Sequence, residues 1–233
     1  MRLIKAGPFP VRGLPLFLFS MGVIGISVAW YVSRLTGLPV EPFFILSWAL
    51  SLGMGAKIGD GKLVLLYGFW FIRQEIDLSS IEEISLLSRL DRGSITRHFK
   101  AYSLTWLAVV LWALADLVIL NAGNNGLRLY MDVFVISTFT VFFLAQTLPK
   151  SEKTFLRLAA FVCAAFLVAF PLYKWGPKTL IPGAFFVLLI VFIVKTFQKG
   201  DLILIVADGK SYLLSSDRGV EVLKLIREAM RNA

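Results

Sequence analysis

Asp116 and Asp132 are carboxylates set in apolar surroundings, Ala113-Leu114-Ala115-Asp116-Leu117-Val118 and Leu129-Tyr130-Met131-Asp132-Val133-Phe134. A carboxylate in a membrane-length apolar run is costly to bury. Such residues mark ion or proton paths, and two that meet can work as an acid–base pair. Both lie near the ends of their runs and flank residues 121–128, which end on Arg128. Arg128 can pair with either one, and Asp132 falls in the first turns of its helix, where a negative charge suits the helix dipole. A structural, interfacial role for Asp116, Asp132 and Arg128 is the plainer reading; conduction or catalysis is the alternative.

The remaining reactive side chains are few. His98 is the single histidine, in Arg97-His98-Phe99-Lys100, and Cys163 is the single cysteine, inside an apolar run. A metal centre draws on several such ligands, and one cysteine makes no internal disulfide. The chain has no His-Glu-x-x-His, no Gly-x-Ser-x-Gly and no P-loop, so zinc protease, serine hydrolase and nucleotide-driven pump are disfavoured. No catalytic residue, metal or cofactor is expected, and the chain is not read as an enzyme.

The elements that hold these residues follow from composition. Of 233 residues, 58% are hydrophobic and 17% charged, against about half and a quarter in an ordinary soluble domain. Disorder, a collagen-like fibre and a disulfide-stapled module are excluded. The apolar residues gather into runs near the length of about 20 that crosses roughly 30 Å of hydrocarbon. Six candidates stand out: 14–32, 38–56, 103–120, 129–148, 155–173 and 180–197. The second is interrupted by Pro39, Pro42, Gly53 and Gly55. Ser137, Thr138, Thr140 and Gln146 give the fourth a polar side suited to bridging helices. Pro171, Pro177 and Pro182 are read as capping the ends of the last two.

The net charge is +9, with 24 Lys and Arg against 15 Asp and Glu. In a chain of this kind the excess orients the protein in the membrane and does not signal nucleic acid. With both termini in the cytoplasm, only Arg34, Arg128, Lys174 and Lys178 of the basic residues fall outside. Trp30, Tyr31, Tyr130, Tyr173 and Trp175 then lie near the outer interface, where amphipathic rings collect. The expected location is the plasma membrane, multi-pass. Lys57, Arg92, Arg97, Lys100, Lys150, Lys153 and Lys199 cluster near the inner interface. They set the topology and are candidate contacts for anionic lipid headgroups.

Two segments fall outside the runs, giving a division into 1–56 (tail and two spans), 57–102 (soluble), 103–197 (four spans) and 198–233 (soluble). The first soluble segment has a Gly59-Asp60-Gly61 turn, then β-rich runs at 62–67 and 69–76 joined near Gly68. Asp77-Leu78-Ser79-Ser80-Ile81-Glu82-Glu83 offers capping boxes for a short helical turn, and 83–88 reads as a third strand. The second segment has apolar runs at 202–206 and 211–214 around Asp208-Gly209, a strong hairpin signal. After Ser215-Ser216-Asp217, a candidate N-cap, Val222, Leu223, Ile226 and Met230 recur on one face of an amphipathic helix. Neither segment buries a core alone. Joined, they make about five strands closed by one helix. The expected fold class is a polytopic α-helical membrane protein with a small cytoplasmic α+β domain assembled from two separate segments.

Gly59-Asp60-Gly61, Asp77-Leu78-Ser79-Ser80-Ile81-Glu82-Glu83-Ile84 and Asp208-Gly209-Lys210-Ser211-Tyr212-Leu213-Leu214, followed by a closing helix, resemble the prokaryotic PH-like domains of small membrane proteins. The resemblance covers the two soluble segments and departs from the family in the four spans between them. It implies a scaffold for interaction and membrane attachment, with lipids and a protein partner or a second copy of the chain as partners. It does not bring phosphoinositide binding, because basic and acidic residues are nearly balanced in both segments. The function expected is that of an integral membrane interaction protein; the alternative is a small transporter or lipid-handling protein using Asp116 and Asp132.

Overall fold

The chain opens with two short strands, β1 (Arg2–Ile4) and β2 (Gly7–Pro8). The computed structural model describes residues 2–87, 99–119, 126–147, 153–197 and 201–231. They form two units, Met1–Thr105 with Gly200–Ala233, and Trp106–Lys199.

In the first unit, helices α1 (Gly13–Thr36) and α2 (Glu41–Ser51) follow β2. Then come β3 (Gly53–Gly59), β4 (Lys62–Tyr67), β5 (Ile72–Asp77), a 3-10 turn at Leu78–Ser80 and β6 (Ile81–Leu86). After the helices of the second unit the chain returns as β7 (Asp201–Ala207), β8 (Lys210–Ser216) and α7 (Gly219–Arg231). The strands make two four-stranded antiparallel sheets, ordered β1-β3-β4-β5 and β2-β8-β7-β6. Their shared core holds Leu63, Leu65 and Tyr67 from one sheet, Ile84, Ile203, Ile205 and Leu214 from the other, and Val222 and Ile226 of α7. Pro8 stands on an edge strand, where its missing N–H is tolerated.

Several expectations are corrected here. Among the described residues the domain has eight strands, not about five. Residues 2–12 are not a tail: β1 pairs with β3 (Arg2↔Ile58) and β2 with β8 (Gly7↔Ser215), so this stretch joins both sheets. The run at 38–56 is not one span. Its helix stops at Ser51, and 11 residues reach only about 16 Å, too short for the bilayer. Glycine disfavours helix by about 1 kcal/mol, and Gly53 and Gly55 continue as β3 instead. The third strand starts at Ile81, not Glu83, and it pairs with β7 across the intervening helices. No side chain caps the 3-10 turn; Ser80 Oγ donates to its neighbour's carbonyl, Asp77 O. At the start of the closing helix Arg218 N donates to Ser216 Oγ, within the candidate N-cap, at 3.1 Å, and Gly219 N donates to the distant Asp201 Oδ2 at 2.9 Å.

Helices α1 and α2 pack closely. A Cβ on Gly22 would meet the Trp48 backbone, and one on Gly25 would fall on the Phe44 ring. Ser33 Oγ donates to Glu41 Oε1 (2.8 Å) across their connection.

The second unit holds most of α3 (Lys100–Val118), with α4 (Gly126–Thr147), α5 (Lys153–Trp175), a 3-10 turn at Pro177–Thr179 and α6 (Leu180–Phe197). Among the described residues, two helices are long and apolar enough to cross a membrane, over Lys100–Val118 and Thr154–Trp175. Shorter apolar stretches occupy Gly13–Ala29, Asp132–Ala145 and Pro177–Phe192. Large apolar side chains lie exposed on these helices, among them Leu107, Phe161, Ile181 and Leu188.

Candidate functional site

Helices α3 and α4 bring Asp116 and Asp132 together. Both are buried, with their carboxyl groups near each other. Farther along α4, Ser137 and Thr138 are buried as well, and Trp106 of α3 lies against Phe139, Phe142 and Phe143 at ring separations of 5.5, 5.3 and 5.6 Å. The polar side of α4 is thus a packed helix face. The side chains of Arg128 and Gln146 lie outside the described residues.

Pro171 does not cap a helix end. It sits inside α5 and leaves the carbonyl four residues earlier, that of Leu167, without its helical donor. Tyr130 of α4 replaces that donor: its hydroxyl donates to Leu167 O at 3.0 Å. Its ring stacks on Phe170 (6.4 Å) and meets Trp175 edge-on (5.9 Å). Tyr130 is therefore a buried packing residue, whereas Tyr173 is exposed. The side chains of Trp30 and Tyr31 lie outside the described residues.

Of the seven basic candidates, Lys57 and Lys100 have described side chains. Lys100 is exposed at the start of α3. Lys57 Nζ lies 5.0 Å from the ring centre of Trp70, a cation–π contact. Arg92, Arg97, Lys150 and Lys199, with His98, fall outside the described residues, as does the side chain of Lys153. Among the described residues no three His, Cys, Asp or Glu side chains gather as metal ligands.

Two features escaped the sequence reading. Glu41 heads the second apolar run and ties α1 to α2 through Ser33; its charge within that run was the available signal. The run at 69–76 is not continuous strand. Gly68, Phe69 and Trp70 have positive φ (50°, 53° and 73°), and β5 starts only at Ile72. Phe69, Trp70 and Phe71 make an exposed aromatic turn. Three large apolar residues beside a glycine were the signal for it.

In the sheet unit, Tyr67 is buried with its hydroxyl 3.1 Å from Phe9 O and 3.2 Å from Gln74 Oε1. Burial, with Tyr212 second, pushes its phenol far above the usual range. This is a structural hydroxyl that pins the segment before α1 to β4. Compared with family models, curated proteins and solved structures, the chain finds no match.

Proposed function

We propose that this is a multi-pass membrane protein that presents a cytoplasmic module, similar to the prokaryotic PH-like domains, to a protein partner in the membrane. The observation that carries the reading is the pairing of β6 with β7, from Ile81↔Ala207 to Leu86↔Ile203. It supports the reading because it brings the chain back to the same sheet after the helices between them, as an even number of crossings would require. It also ties the module to the bundle at both ends. The bundle then acts as an anchor and the two-sheet unit as its exposed working part. With α2 too short to span, α1 and α2 form a hairpin that enters and returns, which agrees with β1 pairing to β3 on one side.

The test is native mass spectrometry and cross-linking of the gently extracted full chain. A stoichiometric foreign polypeptide, cross-linked to residues of the two-sheet unit, is expected. A bare or self-associated protein, or cross-links confined to residues 106–199, would overturn the proposal.

A second reading rests on the two buried carboxylates, Asp116 and Asp132. Two carboxylates buried within an apolar bundle suit proton-linked transport or lipid handling. In reconstituted vesicles, Asp116→Asn and Asp132→Asn should then change flux without loss of fold; unchanged flux in both removes this reading.

A further inference from the structure

We infer that the Phe69–Trp70–Phe71 turn is a wedge seated in the inner interface of the membrane, beside α1 and α2. The inference rests on the membrane reading above. Phe69, Trp70 and Phe71 are 64%, 48% and 80% exposed, and an apolar cluster of this kind is a poor surface for water. Bulky residues seldom take positive φ, yet Phe69 and Trp70 both do. The turn is held in that form by its own bond, Phe71 N to Gly68 O at 3.1 Å.

The place of the turn along the helices identifies what covers it. Gly68 N donates to Leu52 O (2.9 Å), and a Cβ on Gly68 would collide with the Leu50 backbone. The turn therefore abuts the end of α2. Trp48, two residues before Leu50, is level with Gly22 of α1. Gly22 lies nine residues beyond Gly13, about 13 Å along the helix axis at 1.5 Å per residue. The turn therefore stands roughly 10 Å up α1 from its first residue, by the same rise. There it is level with the apolar stretch Gly13–Ala29, and the exposed Leu46, Ile45 and Phe43 of α2 lie about 6–10 Å farther along the same hairpin. A turn at that height meets the same surroundings as those helices. The chemistry agrees: Trp is an interfacial residue, and Lys57 against its ring supplies a cation at headgroup depth. The occupant is lipid, at the boundary of headgroups and acyl chains.

The test uses the full chain in nanodiscs of phosphatidylcholine and phosphatidylglycerol. In a Cys163→Ser background, spin labels are placed through Phe71→Cys, Leu107→Cys on α3 and Lys210→Cys on the distal β7–β8 hairpin. Accessibility to oxygen, which concentrates in lipid, is compared with accessibility to a water-soluble nickel chelate. The Phe71 label should favour oxygen, as the Leu107 label does, with the ratio inverted at Lys210. A Phe71 label that behaves like Lys210, while Leu107 remains in lipid, overturns the wedge and leaves the membrane reading standing. A Phe71 label shielded from both reagents means that protein covers the turn, and this also overturns it. A Leu107 label in water removes the membrane reading and the wedge with it.

Discussion

Tyr130→Phe is expected to destabilise the helical bundle only while Pro171 is present. The substitution keeps the ring and its contacts with Phe170 and Trp175 but deletes the hydroxyl that donates to Leu167 O. Pro171 has no N–H to take over. A buried carbonyl stripped of its donor costs about 1–3 kcal/mol. Hydrogen bonds between helices in lipid average about 0.6 kcal/mol and reach about 1.7. The cost should therefore be about 1 kcal/mol, roughly fivefold in the unfolding constant. Pro171→Ala supplies the missing backbone N–H, so in that background Tyr130→Phe should cost little. The four proteins form a double-mutant cycle, read by reversible unfolding in mixed micelles of rising denaturing-detergent fraction. A coupling of about 0.6 kcal/mol or more is expected. Additivity to within about 0.3 kcal/mol would refute the assignment of Tyr130 as the surrogate donor.

Three further outcomes follow from the sheet unit and the helical hairpin. Ile226→Ala empties a fully buried site under α7 and should cost about 3 kcal/mol, read as roughly hundredfold faster amide exchange in β7, while Val220→Ala on the exposed face changes exchange little. Equal exchange in the two variants would mean that α7 does not close the core. Gly25→Ala drives a methyl group onto the Phe44 ring and should cost about 1–3 kcal/mol; a thermal midpoint matching that of the parent would sink the close-approach argument. Tyr67 is held protonated by burial in the fold and ionises near pH 10 when unfolded. Its contribution is therefore full below about pH 10 and is lost as pH rises above that value. Tyr67→Phe should show a shallower alkaline loss of stability than the parent, and identical alkaline profiles would contradict the assignment.

Local signals in the sequence located the pieces that depend on neighbouring residues alone. Asp208-Gly209 makes the β7–β8 turn, with both residues at positive φ, because that backbone suits few other pairs. The spacing of Val222 and Ile226 announced the buried face of α7, where both residues are found. The apolar runs beginning near residues 14, 103, 129, 155 and 180 are helices. Where the sequence reading failed, the deciding partner was far away. Nothing in Arg2-Leu3-Ile4 says strand until β3 offers it an edge, and Gly7-Pro8 is strand only because β8 lies beside it. The end of α2 is set by the close approach of Gly53 to Pro8 O. The aromatic turn is set by the fit of Gly68 against Leu50 and its bond to Leu52.

The candidate sites divide in the same way. Sequence alone picked out Asp116 and Asp132, because the cost of a carboxylate in an apolar run is a property of the run itself. That both are buried near each other was decided by the packing of α3 and α4. The donor for Leu167 O, the contact of Lys57 with Trp70 and the cap of α7 by Asp201 likewise belong to the tertiary structure. Hydropathy and turn chemistry act over a few residues and can be read along the chain, whereas hydrogen bonds between distant segments are selected only when folding brings those segments together.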